Sequence, residues 1–337
     1  MDTRRIIVRT AVVDDAAIIA RAVAMAIGDE VALRNYCGED YMAMLQEIAC
    51  REATQYSWQY ALVAEVDDRT VGAVIGYDGA QLRTLREGTF RALKECIGRV
   101  PTIVDETQAG EYYLDSVAVL PEYRGLGVGK RLIEAFCDRA FMAGYECVGL
   151  IVDMENPNAG SLYASLGFKR VGSRPFFTHE MWHLQRKAER CDVICVEERS
   201  AELIVELTAV WESSVCATHH FLSQEDICEI REYVPMALRG VQQLMIVENV
   251  RHEAVAFMGV EDGRLEMLFV APLYMGVGVG HRLVEYGVDN FGVNEVTVNE
   301  QNTVAVGFYE HIGFKAYKRT DCDEQGRPFP LIYMALS

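Results

Sequence analysis

The hydrophobic and polar residues of this chain recur in two periods, which predicts short strands and amphipathic helices in mixed order. A first strand is expected at 6–9, followed by a helix that Asp14 or Asp15 caps and Gly28 ends. The same pattern predicts further helices at 40–51, 82–96, 130–143 and 158–166, and further strands at 60–66, 71–77, 114–120, 147–152, 168–173 and 178–185.

The order of elements restarts after a short polar segment at 186–190, which is the expected linker. Ser200 is the expected cap of a helix that reaches 215, and Ser223 with Asp226 is expected to open another that reaches 233. The remaining elements expected in this half are strands at 192–197, 244–249, 254–260, 295–299, 315–320 and 331–336, and helices at 279–291 and 303–312. Two domains are therefore predicted, at 1–187 and 191–337.

A glycine-rich turn between a predicted strand and a predicted helix indicates a ligand site. The strand ends at Pro121, and Arg124-Gly125-Leu126-Gly127-Val128-Gly129 leads into the helix. The first N–H groups of a helix have no partner within it, and alternating glycines let such groups converge on a phosphate. The spacing differs from the G-x-G-x-x-G of dinucleotide-binding folds and from the Gly-Lys-Ser/Thr ending of a P-loop. An anion site is expected at 124–130, with a tight turn that binds nothing as the alternative.

A second motif follows further along the chain, from Asn156 through Ala159 and Tyr163 to Gly167-Phe168. Together the two motifs resemble the signature of the GNAT N-acetyltransferase superfamily, V-x-P-x-x-R/Q-G-x-G-x-G/A followed by N-x-x-A-x-x-x-Y-x-x-x-G-F. The resemblance implies that the glycine-rich turn holds the pyrophosphate of acetyl-CoA, the co-substrate. It also implies that Tyr163 protonates the departing thiolate.

Both motifs recur in the second half of the chain. A strand leads through Pro272 to Met275-Gly276-Val277-Gly278-Val279-Gly280, and a segment from Asn302 through Tyr309 to Gly313-Phe314 repeats the second motif. Self-similarity at a long period indicates two copies of one unit. The resemblance therefore implies two tandem GNAT folds, each a mixed α/β unit with a mostly antiparallel sheet and flanking helices.

The resemblance also assigns residues of both copies to the cofactor. In the first copy these are Val117, Ala118, Val119, Arg124, Gly125, Leu126, Gly127, Val128, Gly129, Lys130 and Asn156. In the second copy they are Leu268, Phe269, Val270, Met275, Gly276, Val277, Gly278, Val279, Gly280, His281 and Asn302. Because Met275 stands where the first copy has Arg124, the first copy is expected to bind acetyl-CoA more tightly.

Acetyl transfer to an amine needs a base, because a primary amine with a pKa of about 10.4 arrives mostly protonated. Asp115 and Glu266 occupy matching places on the strands before the two turns and are the expected bases, directly or through water. Tyr163 and Tyr309 are the expected acids. The alternative for the carboxylates is that they are ordinary polar strand residues, and for the tyrosines that they serve packing alone.

Three further segments are candidates for the site. Backbone N–H groups at 117–119 and 268–270 are expected to polarise the thioester carbonyl if the strand is bulged there. His219 and His220 are candidates for the acceptor side of the second copy. The irregular segment at 79–110 is a candidate lid or specificity element, with plain loop packing as the alternative.

The sequence His179-Glu180-Met181-Trp182-His183 spells the H-E-x-x-H motif of zinc proteases. That motif needs a helix, which brings its two histidines within about 6 Å. The surrounding alternation favours a strand instead, in which the same spacing covers about 13 Å. No metal site is expected.

Composition narrows the possible partners. A formal net charge of −18 argues against nucleic acid and suits a cationic acceptor, although it also serves solubility. The sequence has no apolar run of membrane-spanning length and no apolar signal region at its start, so a cytoplasmic location is expected. Ten cysteines are scattered without a C-x-x-C pair, and Cys137, Cys147 and Cys195 are expected to be reduced and buried.

The expected function is an N-acetyltransferase that moves an acetyl group from acetyl-CoA to a primary amine of a small molecule, peptide or protein by direct attack. The chain is expected to act as a monomer with two similar domains or as a homodimer. The alternative is a non-catalytic acetyl-CoA sensor or structural module, or a protein in which one unit is active.

Overall fold

The structure is a computed structural model that describes residues 5–176, 179–188, 192–323 and 326–336. The chain divides into two compact units, Met1–Glu189 and Arg190–Ser337. Each unit contains one seven-stranded sheet with helices packed against it. The predicted mixed α/β class is confirmed.

The first unit begins with β1 (Ile6–Thr10), three helices and a hairpin. Its remaining elements follow the predicted order closely. The elements after β1 are α1 (Ala16–Ile27), α2 (Glu30–Cys37), α3 (Tyr41–Cys50), β2 (Ala61–Val66), β3 (Arg69–Asp78), α4 (Leu82–Ile97), β4 (Tyr112–Val119), α5 (Val128–Met142), β5 (Cys147–Asp153), α6 (Pro157–Ser165), β6 (Lys169–Phe176) and β7 (His179–Lys187).

The sheet of the first unit has the strand order β1-β2-β3-β4-β5-β7-β6. Asp67 and Asp68 turn the chain between β2 and β3, and both adopt the left-handed conformation that suits a two-residue hairpin. All strand pairs are antiparallel except β4 with β5. Apolar side chains of α1 and α3, such as Ile19 and Leu45, pack on the sheet and form the core.

The second unit repeats this architecture. Its elements are β8 (Val193–Cys195), α7 (Ala201–Thr218), α8 (Gln224–Gly240), β9 (Gln243–Glu248), β10 (Ala254–Glu261), β11 (Arg264–Val270), α9 (Val279–Phe291), β12 (Glu295–Asn299), α10 (Thr303–Ile312), β13 (Phe314–Thr320) and β14 (Leu331–Leu336). The strand order β13-β14-β12-β11-β10-β9-β8 mirrors that of the first sheet, and β11 with β12 is its parallel pair. Trp211, Leu207 and Phe257 lie in its core.

Several predicted boundaries are wrong. Arg186 and the residue after it belong to β7, because they continue its pairing with β5, so the linker does not begin at 186. Helix α8 continues past Pro235 to Gly240 rather than ending at 233. The side chain of Asp15 does not cap α1, since it accepts a hydrogen bond from the Val12 N–H and pairs with Arg9. Helix α2 was not predicted.

The cysteine prediction holds in part. Cys137 is buried and Cys147 is half-buried, but Cys195 is exposed, because the short edge strand β8 leaves one side open. Its thiol lies 3.3 Å from the Tyr286 hydroxyl. Cysteines at nine positions within the described ranges are free thiols.

The H-E-x-x-H sequence lies on a strand, as predicted. His183 belongs to β7 and its Nε2 lies 2.8 Å from Oε2 of Glu111, a carboxylate that is 1% exposed. The same oxygen accepts a hydrogen bond from Gln185 at 2.7 Å, and Thr107 donates to the other oxygen. This histidine therefore belongs to a buried polar cluster around Glu111 that ties the strand to the loop before β4.

Replacing Gly149 with alanine is expected to destabilise the first unit by about 3 kcal/mol. A Cβ at this position of β5 would lie 2.0 Å from Oε2 of Glu111, so the carboxylate would have to leave His183 and Gln185 while staying buried. Urea unfolding followed by tryptophan fluorescence measures the loss. Gly172→Ala on β6 is the matched control, since its Cβ meets no described atom within 4 Å. Equal stability of the two variants would contradict the prediction.

Candidate active site

A wedge-shaped gap opens in each sheet between its two parallel strands. Pairing of β4 with β5 covers Tyr112 with Val148 and Tyr113 with Gly149, after which the strands diverge. Pairing of β11 with β12 likewise covers two residue pairs, starting from Arg264 with Glu295. The gap widens towards the carboxyl ends of the strands, where the glycine-rich turns begin.

Backbone N–H groups line one wall of each gap. The Leu120 N–H donates to the Val71 carbonyl on β3. Because backbone N–H groups alternate between the two edges of a strand, those of Val117 and Val119 point away from β3 and towards the gap. In the second unit the Ala271 N–H donates to the Val255 carbonyl, so the N–H groups of Leu268 and Val270 point towards the gap. The N–H groups of Ala118 and Phe269 point instead to the neighbouring strands β3 and β10.

A β-bulge interrupts each of these strands, but not where it was expected. Ile75 pairs with Ser116 while Gly76 pairs with Leu114, so Asp115 is the extra residue. In the second unit the extra residue is Glu266, between the partners of Gly259 and Val260. The pairing over 116–119 is regular. The bulge therefore re-aims the two carboxylates rather than the N–H groups that follow them.

The glycine-rich turn of the first unit has the geometry of an anion site. Gly125 and Gly127 have φ of 79° and 84°, and Gly127 is the N-cap of α5. Arg131 makes the first intrahelical bond, to the Gly127 carbonyl, so the N–H groups of Val128, Gly129 and Lys130 precede the helical ladder. These groups point out of the helix start, where the dipole favours a negative charge.

The second turn has the same backbone. Gly276 and Gly278 have φ of 74° and 88°, and the first intrahelical bond runs from Arg282 to Gly278, so Val277 lies in the turn and Val279, Gly280 and His281 form the helix start. The two turns differ in one side chain. Arg124 donates from Nε to the Val119 carbonyl at 3.3 Å on the gap edge, whereas its counterpart is Met275. Leu126 is exposed at the tip of the first turn.

Asn156 and Asn302 cap the helices that follow β5 and β12. The side-chain oxygen of Asn156 accepts from the Ala159 N–H, and that of Asn302 accepts from the Ala305 N–H, both at 3.1 Å. Each oxygen thus accepts one hydrogen bond within the fold, and the amide nitrogens are the donors that these side chains offer.

Tyr163 and Tyr309 are buried at matching positions of α6 and α10. Their rings pack edge-on against Phe168 and Phe314. Burial raises the pKa of Tyr163 to about 12 and also raises the pKa of Tyr309. Both phenols therefore hold their protons at neutral pH.

Asp115 is half-buried, and its two carboxylate oxygens have separate partners. Tyr77 donates to Oδ2 and Ser116 donates to Oδ1, both at 2.9 Å. Burial, followed by the negative charge of Glu106, raises the pKa of Asp115 to about 7, while the bonds from Tyr77 and Ser116 oppose the shift. A carboxyl with such a pKa accepts a proton readily near neutral pH.

A buried polar network, which the sequence did not predict, contacts Asp115 through Tyr77. Tyr77 lies 3.4 Å from Oε1 of Glu106, Gln55 donates to both groups at 3.1 Å, and Arg86 pairs with Glu106. Glu106 stands in the irregular segment at 79–110, which here packs beneath the site. No periodicity marks a residue in such a loop, so no sequence signal pointed to it.

Glu266 occupies the equivalent bulge but a different environment. Its side chain is exposed, and its carboxylate lies 3.8 Å from Arg264. The two units therefore present matching carboxylates with different surroundings. His219 and His220 lie at the end of α7, and Nε2 of His219 is 3.5 Å from the amide nitrogen of Asn302.

Within the described ranges, no group of three or more His, Cys, Asp or Glu side chains is placed to hold a metal ion. The same ranges contain no helix that is both long and apolar enough to cross a membrane.

Comparisons with known proteins agree with this geometry. The model of the acetyltransferase (GNAT) family matches residues 31–168, and that of the acetyltransferase (GNAT) domain matches residues 221–335. Peptidyl-lysine N-acetyltransferase YjaB of Escherichia coli (strain K12) is 38% identical over 143 residues, which are 42% of this chain and 97% of that protein.

One further relative and one solved structure are similar to parts of the chain. N-alpha-acetyltransferase RimI of Mycobacterium tuberculosis is 33% identical over 109 residues, 32% of this chain and 54% of that protein. The solution structure of the apo form of Escherichia coli YjaB matches 43% of this chain and 97% of its own at 37% identity, with a TM-score of 0.39.

Fold and site define an acyltransferase built from two tandem units. The chain belongs to the GNAT acetyltransferase family and is an acetyltransferase enzyme, as the two motifs predicted.

Proposed function

We propose that the chain transfers the acetyl group of acetyl-CoA to the side-chain amine of lysine in a peptide or protein, in two domains at 1–187 and 191–337. The observation that carries the proposal is Asp115, a half-buried carboxyl with a pKa of about 7 at the bulge beside the gap. The acceptor class is supported by the relative named as a peptidyl-lysine N-acetyltransferase. The net charge of −18 suits a cationic acceptor.

The glycine-rich turns suit the pyrophosphate of acetyl-CoA. In the first unit the N–H groups of 125–130 and the Arg124 side chain would contact the phosphates, and in the second unit 276–281 would do so. The N–H groups of Val117 and Val119, which face the gap, suit the thioester carbonyl oxygen, on which negative charge develops during attack.

Proton transfer completes the proposed reaction. Asp115 takes a proton from the acceptor amine while the amine nitrogen forms a bond to the thioester carbon. The C–S bond then breaks, and Tyr163 protonates the departing thiolate. Tyr163 suits this role because burial raises its pKa to about 12, so it is protonated when the thiolate forms.

Mass spectrometry of a lysine-containing peptide set, incubated with the full chain and acetyl-CoA, tests the proposal. Each peptide is used in two forms, with a free and with a blocked amino terminus, so that acetylation of lysine and of the α-amine is measured separately. Acetylation of the lysine side chain in blocked peptides is the expected result. Binding of acetyl-CoA without any transfer would support the sensor alternative instead.

Replacing Arg124 with methionine is expected to weaken acetyl-CoA binding by the first unit about tenfold to a hundredfold. Removing one charge-assisted contact typically costs about 1–3 kcal/mol. Calorimetry on the full chain should resolve a tighter and a weaker site, and the tighter one should disappear in Arg124→Met. The reciprocal variant, Met275→Arg, should tighten the weaker site. Unchanged isotherms in both variants would show that the backbone supplies the affinity.

A further inference from the structure

The ring orientation of His219 in the second unit follows from its hydrogen bonds. Thr218 Oγ1 lies 2.8 Å from the Ser214 carbonyl and 2.8 Å from Nδ1 of His219. The carbonyl can only accept, so it takes the single hydroxyl proton of Thr218. Nδ1 of His219 must then be the donor towards Thr218. In the neutral ring this leaves Nε2 without a proton.

The side-chain amide of Asn302 faces Nε2 of His219. Its side-chain oxygen accepts from the Ala305 N–H, so its amide nitrogen is the atom 3.5 Å from Nε2 of His219. At that distance the contact is weak, and the Nε2 lone pair keeps most of its capacity to accept a proton. The ring also packs against Phe221, with 5.4 Å between centroids.

Burial and one neighbouring histidine determine the direction in which the pKa of His219 shifts. Burial, followed by the nearby His220, lowers the pKa of His219. Of the described residues in contact with its ring, Thr218, Phe221 and Asn302 are uncharged. His219 is therefore a neutral base at neutral pH.

The position of His219 matches the open end of the second gap. Asn302 lies three residues beyond the end of β12, one wall of the gap, and caps the helix that carries Tyr309. A cavity of about 170 Å³ adjoins the cluster, and its lining includes His220 together with three residues that contact the His219 ring, Thr218, Phe221 and Asn302. The cluster therefore has room beside it for an acceptor side chain.

We infer that His219 is the base of the second unit, in place of the exposed Glu266, and that Thr218 is its positioning residue. This rests on the proposed acetyl transfer. The acceptor nitrogen bonds to the thioester carbon and its proton passes to Nε2 of His219. The C–S electron pair stays on sulfur, and the thiolate takes a proton from Tyr309 or water. The imidazolium then returns its proton to solvent. The two units thus use different bases, a carboxylate in the first and an imidazole in the second.

The test uses the full chain with Asp115→Asn, in which activity of the second unit is read alone. Adding His219→Gln is expected to lower kcat/KM for a lysine peptide about a hundredfold and to remove the acidic limb of its pH profile, which should lie below about pH 6.5. Thr218→Val should lower kcat/KM about tenfold with His219 retained. His252→Gln is the control, since His252 is an exposed histidine of the second unit beside Glu248 and does not line the cavity: it should keep both kcat/KM and the acidic limb.

Long-range proton–nitrogen NMR of the imidazole gives a readout that does not depend on turnover. The wild-type ring should show a proton on Nδ1, and Thr218→Val should show a mixture of tautomers. A proton on Nε2 in the wild type, or unchanged kcat/KM in His219→Gln, would overturn the inference. Loss of all transfer in Asp115→Asn alone would also overturn it while the function of the first unit stood. A wild type that acetylates nothing would overturn the proposed function, and the NMR result would remain interpretable.

Discussion

Replacing Asp115 with asparagine is expected to lower kcat/KM of the first unit about a thousandfold. Asparagine keeps the size of the side chain, but its single amide oxygen can accept from only one of Tyr77 and Ser116, and the amide does not take the proton of the acceptor. The measurement is acetylation of a lysine peptide by the full chain carrying His219→Gln, so that the second unit contributes little. A loss of less than threefold would mean that water alone takes the proton.

The pH dependence separates this role from a structural one. Asp115 works as a base when ionised, so kcat/KM of the first unit should rise with pH and level off above about 7, the pKa of Asp115. Glu106→Gln removes the negative charge that helps to raise this pKa, so the acidic limb should move to lower pH. A control is Asp105→Asn, which alters the exposed partner of Arg86 and should leave the limb within a few tenths of a pH unit of its wild-type position.

The raised pKa of Asp115 also affects the free energy of unfolding. The pKa of Asp115 is about 7 in the folded state against an ordinary value of 3.8, so the folded state binds more protons than the unfolded state between these values. The contribution of Asp115 to the free energy of unfolding therefore falls as pH rises from about 4 to about 7. Asp115→Asn should remove that dependence, and urea unfolding at several pH values measures it.

Replacing Tyr163 with phenylalanine is expected to lower kcat of the first unit by about a hundredfold or less, with little change in acetyl-CoA affinity. The variant keeps the ring that packs against Phe168 and removes only the hydroxyl. The effect is bounded because a thiol with a pKa near about 8.5 is a tolerable leaving group without acid assistance. Single-turnover kinetics in the full chain with His219→Gln resolve the chemical step from product release.

The control for the Tyr163→Phe measurement is the same substitution at Tyr309, the matching tyrosine of the second unit. Tyr309→Phe in the same chain should leave activity of the first unit unchanged, since Tyr309 lies in the other unit. If Tyr163→Phe turned over at the wild-type rate, the tyrosine would serve packing and water would be the proton donor.

Much of the architecture follows from local sequence patterns. The bounds of α9, β12 and α10 agree with the structure because each combines a clear period with its own end signals, such as Asn302 as a cap and Gly313 in the left-handed conformation. The turns around Gly127 and Gly278 were predictable for the same reason. A helix start with alternating glycines presents N–H groups to an anion whatever the rest of the fold does. Repetition of both motifs then determined the two-unit organisation.

Other features depend on contacts between distant segments, which no local pattern encodes. Asp115 and Glu266 occupy equivalent bulges, yet one is enclosed by Tyr77 and Glu106 while the other is exposed beside Arg264. Two carboxylates in matching motifs thus have different surroundings, because Tyr77, which donates to Asp115, stands 38 residues away from it in sequence. The group that faces Nε2 of His219 likewise comes from Asn302, 83 residues further along, and depends on how α10 meets the end of α7. Local sequence was enough to predict the glycine-rich turns, because a helix start and its glycines are neighbours in the chain. The enclosure of Asp115 was not predictable in this way, because it depends on contacts that form only when the chain folds.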